Sequence, residues 1–177
     1  MLINKSFNTT LFVILIFMTG CIFESDDTEY VSGQVVAGIR NNVSLETLAD
    51  YIYTLENVSI KSVAKFQYYS TLAQDSLLAI QQAFESKSYI DTRTINIVYN
   101  EDEDRLDIDF WVNDFCNEDR SDWTSLINRF DLQHISFDFQ GGLFSVEIGK
   151  EKSCITKFLL SGYFKFAELN YVVHGCD

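Results

Sequence analysis

The most constraining stretch of the chain is residues 105–113. Leu106, Ile108, Phe110 and Val112 alternate there with Asp107, Asp109, Trp111 and Asn113. A period of two places the apolar set on one face of a strand and the polar set on the other. Such a strand belongs in an antiparallel sheet with one covered face and one open face. The stretch also follows a second apolar run, residues 94–99, across the polar turn 100–104, which reads as a hairpin. Trp111 stands on the polar side. An aromatic side chain there is a candidate contact for a sugar or a protein, with Asp107 and Asp109 beside it, unless a helix covers it.

The rest of the domain is read outward from this hairpin. Residues 34–40 alternate around Val35, Ala37 and Ile39 and predict a strand. Ser44 caps a helix whose Leu45, Leu48, Ala49 and Ile52 share one face. Residues 60–70 form a long β-branched and aromatic strand, and Asp75 opens a second helix with Leu77, Ile80 and Phe84 inward. A third helix carries Trp123, Leu126, Ile127 and Phe130. Ile135, Phe137 and Phe139 face inward from the next strand, Gly141-Gly142 reads as a two-residue hairpin turn, and Phe144, Val146 and Ile148 return to the core. A fourth helix uses Ile155, Phe158 and Leu159 and stops at Gly162, before a last strand over residues 164–173. The expected fold is α+β, an antiparallel sheet with helices on one face. The order β-α-β-β-α-β from Arg105 to Val173 is that of a ferredoxin-like unit. The β-α-β-α-β of residues 34–100 is either an elaboration or a degenerate second copy.

The chain is 177 residues long and 47% apolar, enough for one folded domain. Its net charge of −13, which becomes −14 without Lys5 and the rest of the first 20 residues, argues against a nucleic-acid partner and against a basic grip on anionic lipid. With no proline anywhere, a Pro-rich linker is excluded.

The first 20 residues have the layout of a secretory signal: Lys5 in a polar start, then an unbroken apolar run at residues 11–18, then Thr19 and Gly20. That run is far shorter than the ~20 residues needed to span a bilayer. Met18-Thr19-Gly20-Cys21 resembles the bacterial lipobox. The resemblance implies diacylglyceryl transfer to the Cys21 thiol, cleavage before Cys21 and N-acylation, so that the protein is held to the membrane through lipid on Cys21. Ile22 is unlike the aspartate that retains lipoproteins in some inner membranes, which favours an outer-membrane or cell-surface address. Residues 21–29 then read as an acidic tether and residues 30–177 as one domain.

Two further stretches resemble the ends of the subtilisin-family propeptide, a ferredoxin-like inhibitor domain. Tyr30-Val31-Ser32-Gly33-Gln34-Val35-Val36-Ala37-Gly38-Ile39 is similar to its opening strand, and Phe166-Ala167-Glu168-Leu169-Asn170-Tyr171 to its closing one, with Ser32 and Leu169 where that family has proline. The resemblance implies the fold and, as one option, an inhibitor activity.

Catalytic chemistry has little support. His134 shares a face with Ser136, Asp138 and Gln140, read as the solvent side, and His174 lies in the tail; no nucleophile elbow accompanies either. No cofactor is implied, and Cys/His spacing for zinc is absent. Glu101-Asp102-Glu103-Asp104 reads as a solvated turn rather than a calcium loop. A carboxylate pair for glycan hydrolysis is defined in space, not in sequence, and stays open. Of the cysteines after Cys21, the expected ferredoxin-like topology starts two helices at one sheet edge, which predicts a Cys116–Cys154 bridge with Cys176 free; Cys154–Cys176 is the rival pairing. The leading reading is a non-catalytic envelope lipoprotein that binds or supports an envelope protein or glycan. A protease-propeptide-like inhibitor and a cell-surface glycan hydrolase are the alternatives.

Overall fold

A computed structural model describes residues 29–136 and 140–172. In chain order the elements are β1 (Tyr30–Ile39), α1 (Leu45–Ile52), β2 (Val58–Ser70), α2 (Leu77–Glu85), β3 (Asn96–Asn100), β4 (Arg105–Asn113), α3 (Asp119–Phe130), β5 (Leu132–His134), β6 (Gln140–Val146), α4 (Glu151–Ser161) and β7 (Phe164–Tyr171). Short 3-10 turns, Gln74–Ser76 and Thr92–Thr94, precede α2 and β3. The protein is α+β. Its open sheet is antiparallel throughout, with the order β3-β4-β2-β6-β1-β7 and β5 on β2.

Local sequence accounts for most of these elements. The Ser44 side chain accepts the Thr47 N–H and starts α1, which buries Leu45, Leu48, Ala49 and Ile52. Helix α2 turns Ile80 and Phe84 inward, and α3 turns in Trp123, Leu126 and Phe130. Gly162, in the left-handed conformation, ends α4. The alternation of β4 comes out as read: Leu106, Ile108, Phe110 and Val112 are fully buried.

All four helices pack on that buried face. Phe84 and Trp123 meet the ring of Phe110, and Trp123 also meets Tyr68, mostly edge to face. At the other end of the sheet Phe158 stacks on Phe164 at 4.2 Å, and both touch Phe144. The opposite face of the sheet carries no helix among the described residues.

The topology corrects the expected C-terminal unit. Strand β2 lies between β4 and β6, and β7 pairs with β1, so residues 105–173 do not form a sheet of their own. Gly141 and Gly142 are not a turn. They lie inside β6, opposite Gly38 and Ala37 of β1 and Ala64 and Val63 of β2. The glycine at 142 is required by packing, because a Cβ there would stand 2.7 Å from the Phe144 ring. Strands β5 and β6 therefore do not fold back on each other. They follow one another along β2, β5 opposite Tyr68–Ser70 and β6 opposite residues 58–64. Ile148 is in a turn and 75% exposed, and Leu159 is half exposed, so neither joins the core. Phe137 and Phe139 lie outside the described residues. When residues 74–139 are set aside, the remaining strands have the order β7-β1-β6-β2 and the connections β-α-β-β-α-β.

Candidate functional site

The uncovered face of the sheet is organised by strand register. Asp109 of β4 lies between Asn96 of β3 and Gln67 of β2. One row along, Asp107 lies between Val98 and Tyr69. Trp111 stands opposite an irregularity of β2 between Val63 and Phe66, where Lys65 takes a left-handed φ of 61°. The indole beside this bulge is 45% exposed. Val98, at 52%, lies on the same face opposite Asp107, two rows along from Trp111, and Phe166 of β7, at 41%, lies over Gly38 farther across the sheet.

The polar groups of this face are held by one another. Asp107 accepts from Arg105 Nε at 2.7 Å and from Asn100 Nδ2 at 3.1 Å. Arg105 also pairs with Glu103, and its guanidinium lies 4.7 Å from the centre of the Tyr69 ring. The Tyr69 hydroxyl donates to Gln133. The backbone of Trp111 is fixed on its other side: its N–H donates to Thr94 Oγ1 at 2.9 Å and its carbonyl accepts the Asp91 N–H at 3.0 Å. Asp91, beneath, is paired with Arg93, whose hydrogen bonds hold its carboxyl down at about 2. The three residues singled out from sequence, Asp107, Asp109 and Trp111, thus share one open face with a rigid backbone. Sequence reading missed Arg105 and Tyr69. The spacing Arg105-x-Asp107 along a strand places the pair on one face and would have found the first; Tyr69 needs the β2–β4 register.

A second concavity, about 230 Å3, lies between α1 and α3 and is lined by Glu46, Asp50, Phe115, Arg120 and Trp123. Its two carboxylates are already engaged. Asp50 pairs with Arg120, and Glu46 accepts from the buried Tyr68 hydroxyl at 2.7 Å, which in turn accepts the Leu45 N–H at 3.0 Å. Burial first, then the Glu46 charge, pushes the Tyr68 hydroxyl far above its ordinary pKa.

His134 does not face solvent. Register sets it opposite Tyr68, so it lies on the covered side, its ring edge-on to Tyr68 at 5.4 Å. Burial lowers its pKa, against a smaller opposing pull from Glu46. Gln140, expected on the same solvent side, is buried as well. The inward pattern continues from Leu132 and His134 of β5, not from Ile135.

The expected Cys116–Cys154 bridge is not formed; both thiols are free. Strands β4 and β6 are parallel to each other, so their helices do start at one edge, but the end of α1 fills the space between them. Tyr53 Oη donates to the Phe115 carbonyl on one side, and Tyr51 Oη donates to the Lys157 carbonyl on the other. Cys116 is exposed and donates to Asp119 Oδ2 at 2.9 Å, which pushes its pKa up to about 11; burial does the same to Cys154. Turn 101–104 is exposed, as read. Among the described residues no cluster of His, Cys, Asp and Glu is arranged to hold a metal ion, and no helix is long and apolar enough to cross a membrane. Cys21, His174 and Cys176 lie outside the described residues.

No protein-family model, no curated protein and no solved structure matches the chain.

Proposed function

We propose that the protein is a non-catalytic lipoprotein of the bacterial envelope, anchored through Cys21, that binds another envelope macromolecule on the open face of its sheet. The observation that carries this reading is the bare face itself. Helices cover one side only, while the other presents Val98 beside a hydrogen-bonded set of carboxylate, amide and guanidinium groups, and the exposed Trp111 two rows farther along β4. Exposed apolar area rimmed by fixed polar groups is the ordinary make-up of a binding surface. A photoreactive amino acid at position 111 of the membrane-anchored protein tests it. A discrete adduct formed from position 111 and not from position 160 is the expected result, and adduct-free protein at both positions removes the reading. Intact mass and membrane partition beside a Cys21→Ala variant test the anchor separately: a lipid-sized mass gain and membrane association, both lost in the variant, are expected.

One observation favours a second reading. The two stretches that resemble the ends of the subtilisin-family propeptide pair with each other as β1 and β7, inside the strand order β7-β1-β6-β2 of a ferredoxin-like frame. On this reading the insert of residues 74–139 widens such a frame, and the domain slows a subtilisin-type protease. An inhibition assay with full-length protein separates the readings, because a binder of the first kind leaves proteolysis unchanged.

A further inference from the structure

Strands β1 and β7 run on past the end of their neighbour. The β6 partners of β1 begin at Gln34 opposite Ser145, and Gly33 lies against the Val146 carbonyl where β6 ends, so residues 30–32 extend beyond β6 and, after a register irregularity, only β7 pairs with them, at Tyr30. Tyr30 pairs with Tyr171, and the Val172 N–H donates to the Glu29 carbonyl at 2.8 Å. The result is a two-stranded ribbon projecting from one edge of the sheet. Its base is fixed. Gly33, at a φ of +76° that suits only glycine without strain, turns its N–H onto the Glu151 carboxylate at 2.7 Å, and Glu151 is itself buried at the start of α4.

The ribbon exposes several apolar side chains. Tyr30, Val31, Tyr171 and Val172 are between 37 and 45% exposed, and Ile148, which covers Gly33, is the most exposed of the group. The chain leaves the described domain at this tip. Residues 22–28 separate it from Cys21, a stretch that reaches at most roughly 30 Å when fully extended. The tip is therefore the part of the domain tied closest to the lipidated residue. Tyrosine suits the headgroup layer, where its ring and hydroxyl meet apolar and wet surroundings together.

Resting on the Cys21 anchor proposed above, we propose that the ribbon tip, Tyr30, Val31, Tyr171 and Val172 with Ile148 at its base, lies in the headgroup region of the bilayer that holds the lipid. It fixes the angle at which the domain stands. The open sheet face then runs up from the membrane instead of lying against it.

The test uses full-length, membrane-purified protein reconstituted in phosphatidylcholine and phosphatidylethanolamine vesicles containing lipid brominated near the headgroup. Two reporters are compared, Tyr171→Trp at the tip and Leu160→Trp near the far end of α4, with intact mass recorded for each. The expected result is a loss of the added emission that grows with bromolipid fraction for Tyr171→Trp and is absent for Leu160→Trp. Lipidated, vesicle-bound protein with no loss at position 171, or with equal loss at both positions, overturns the ribbon contact and leaves the anchor standing. Protein without a lipid mass gain that stays in the supernatant overturns both.

Discussion

Glu151 shows how much one side chain decides. Its carboxylate is held below its ordinary pKa first by the Gly33 N–H, with further backbone donors around it. Glu151→Ala leaves that half-buried N–H without its carboxylate partner and is expected to cost about 1–3 kcal/mol in urea unfolding at neutral pH. A depressed carboxyl contributes stability in full above its unfolded value, near 4.5, and loses it as pH falls through the folded one. Glu151→Gln keeps an acceptor for Gly33 without the titration, so its stability should fall less steeply than wild type below that value; parallel acid limbs in the two proteins refute the assignment. Cys116 offers a second residue-scale check. The Asp119 carboxylate keeps its thiol protonated, so Asp119→Asn is expected to speed alkylation of Cys116 at pH 8, measured by adduct mass against time.

At the scale of elements, those with a single strong period were legible. Helix α1 was readable from Ser44, Leu45, Leu48, Ala49 and Ile52 alone, because cap and stripe agree. Strand β4 was readable because each apolar residue meets the same core. The reading failed where two structures ask for the same residues. A Gly-Gly pair suits a tight turn, and equally a central strand on which a neighbouring ring lies flat, and only the Phe144 ring over Gly142 distinguishes them. Once the turn was misplaced, His134 and Gln140 were sent to the wrong face, since a one-residue error inverts a strand. Gly142→Val is accordingly expected to destabilise by about 1–3 kcal/mol through overpacking, read as a lower midpoint in guanidinium. The candidate face was legible for Trp111, Asp107 and Asp109 because they share one strand. Apart from Arg105 on that same strand, its remaining strand members come from β2, β3 and β5, and no local pattern fixes that register.

At the scale of the whole molecule, the halves interleave. Strand β2 divides β4 from β6, and β1 divides β6 from β7. A fragment of residues 105–177 therefore lacks both of the strands that join its own, and circular dichroism is expected to show it without a cooperative thermal transition, whereas a self-contained unit would melt sharply. The same interleaving sets an order in time. Strand β1 is made first, yet both its partners lie between Gln140 and Tyr171, at the other end of the chain. On the proposed export route, a chain threaded through a pore from its N-terminus carries strand β1 unpaired until β6 has emerged. The β3-β4-β2 part can pair from residues 58–113, but the sheet as a whole cannot close before β6 and β7 are present. On that route the edge of β1 needs shelter, and the domain locks only once β7, near the end of the chain, has joined it.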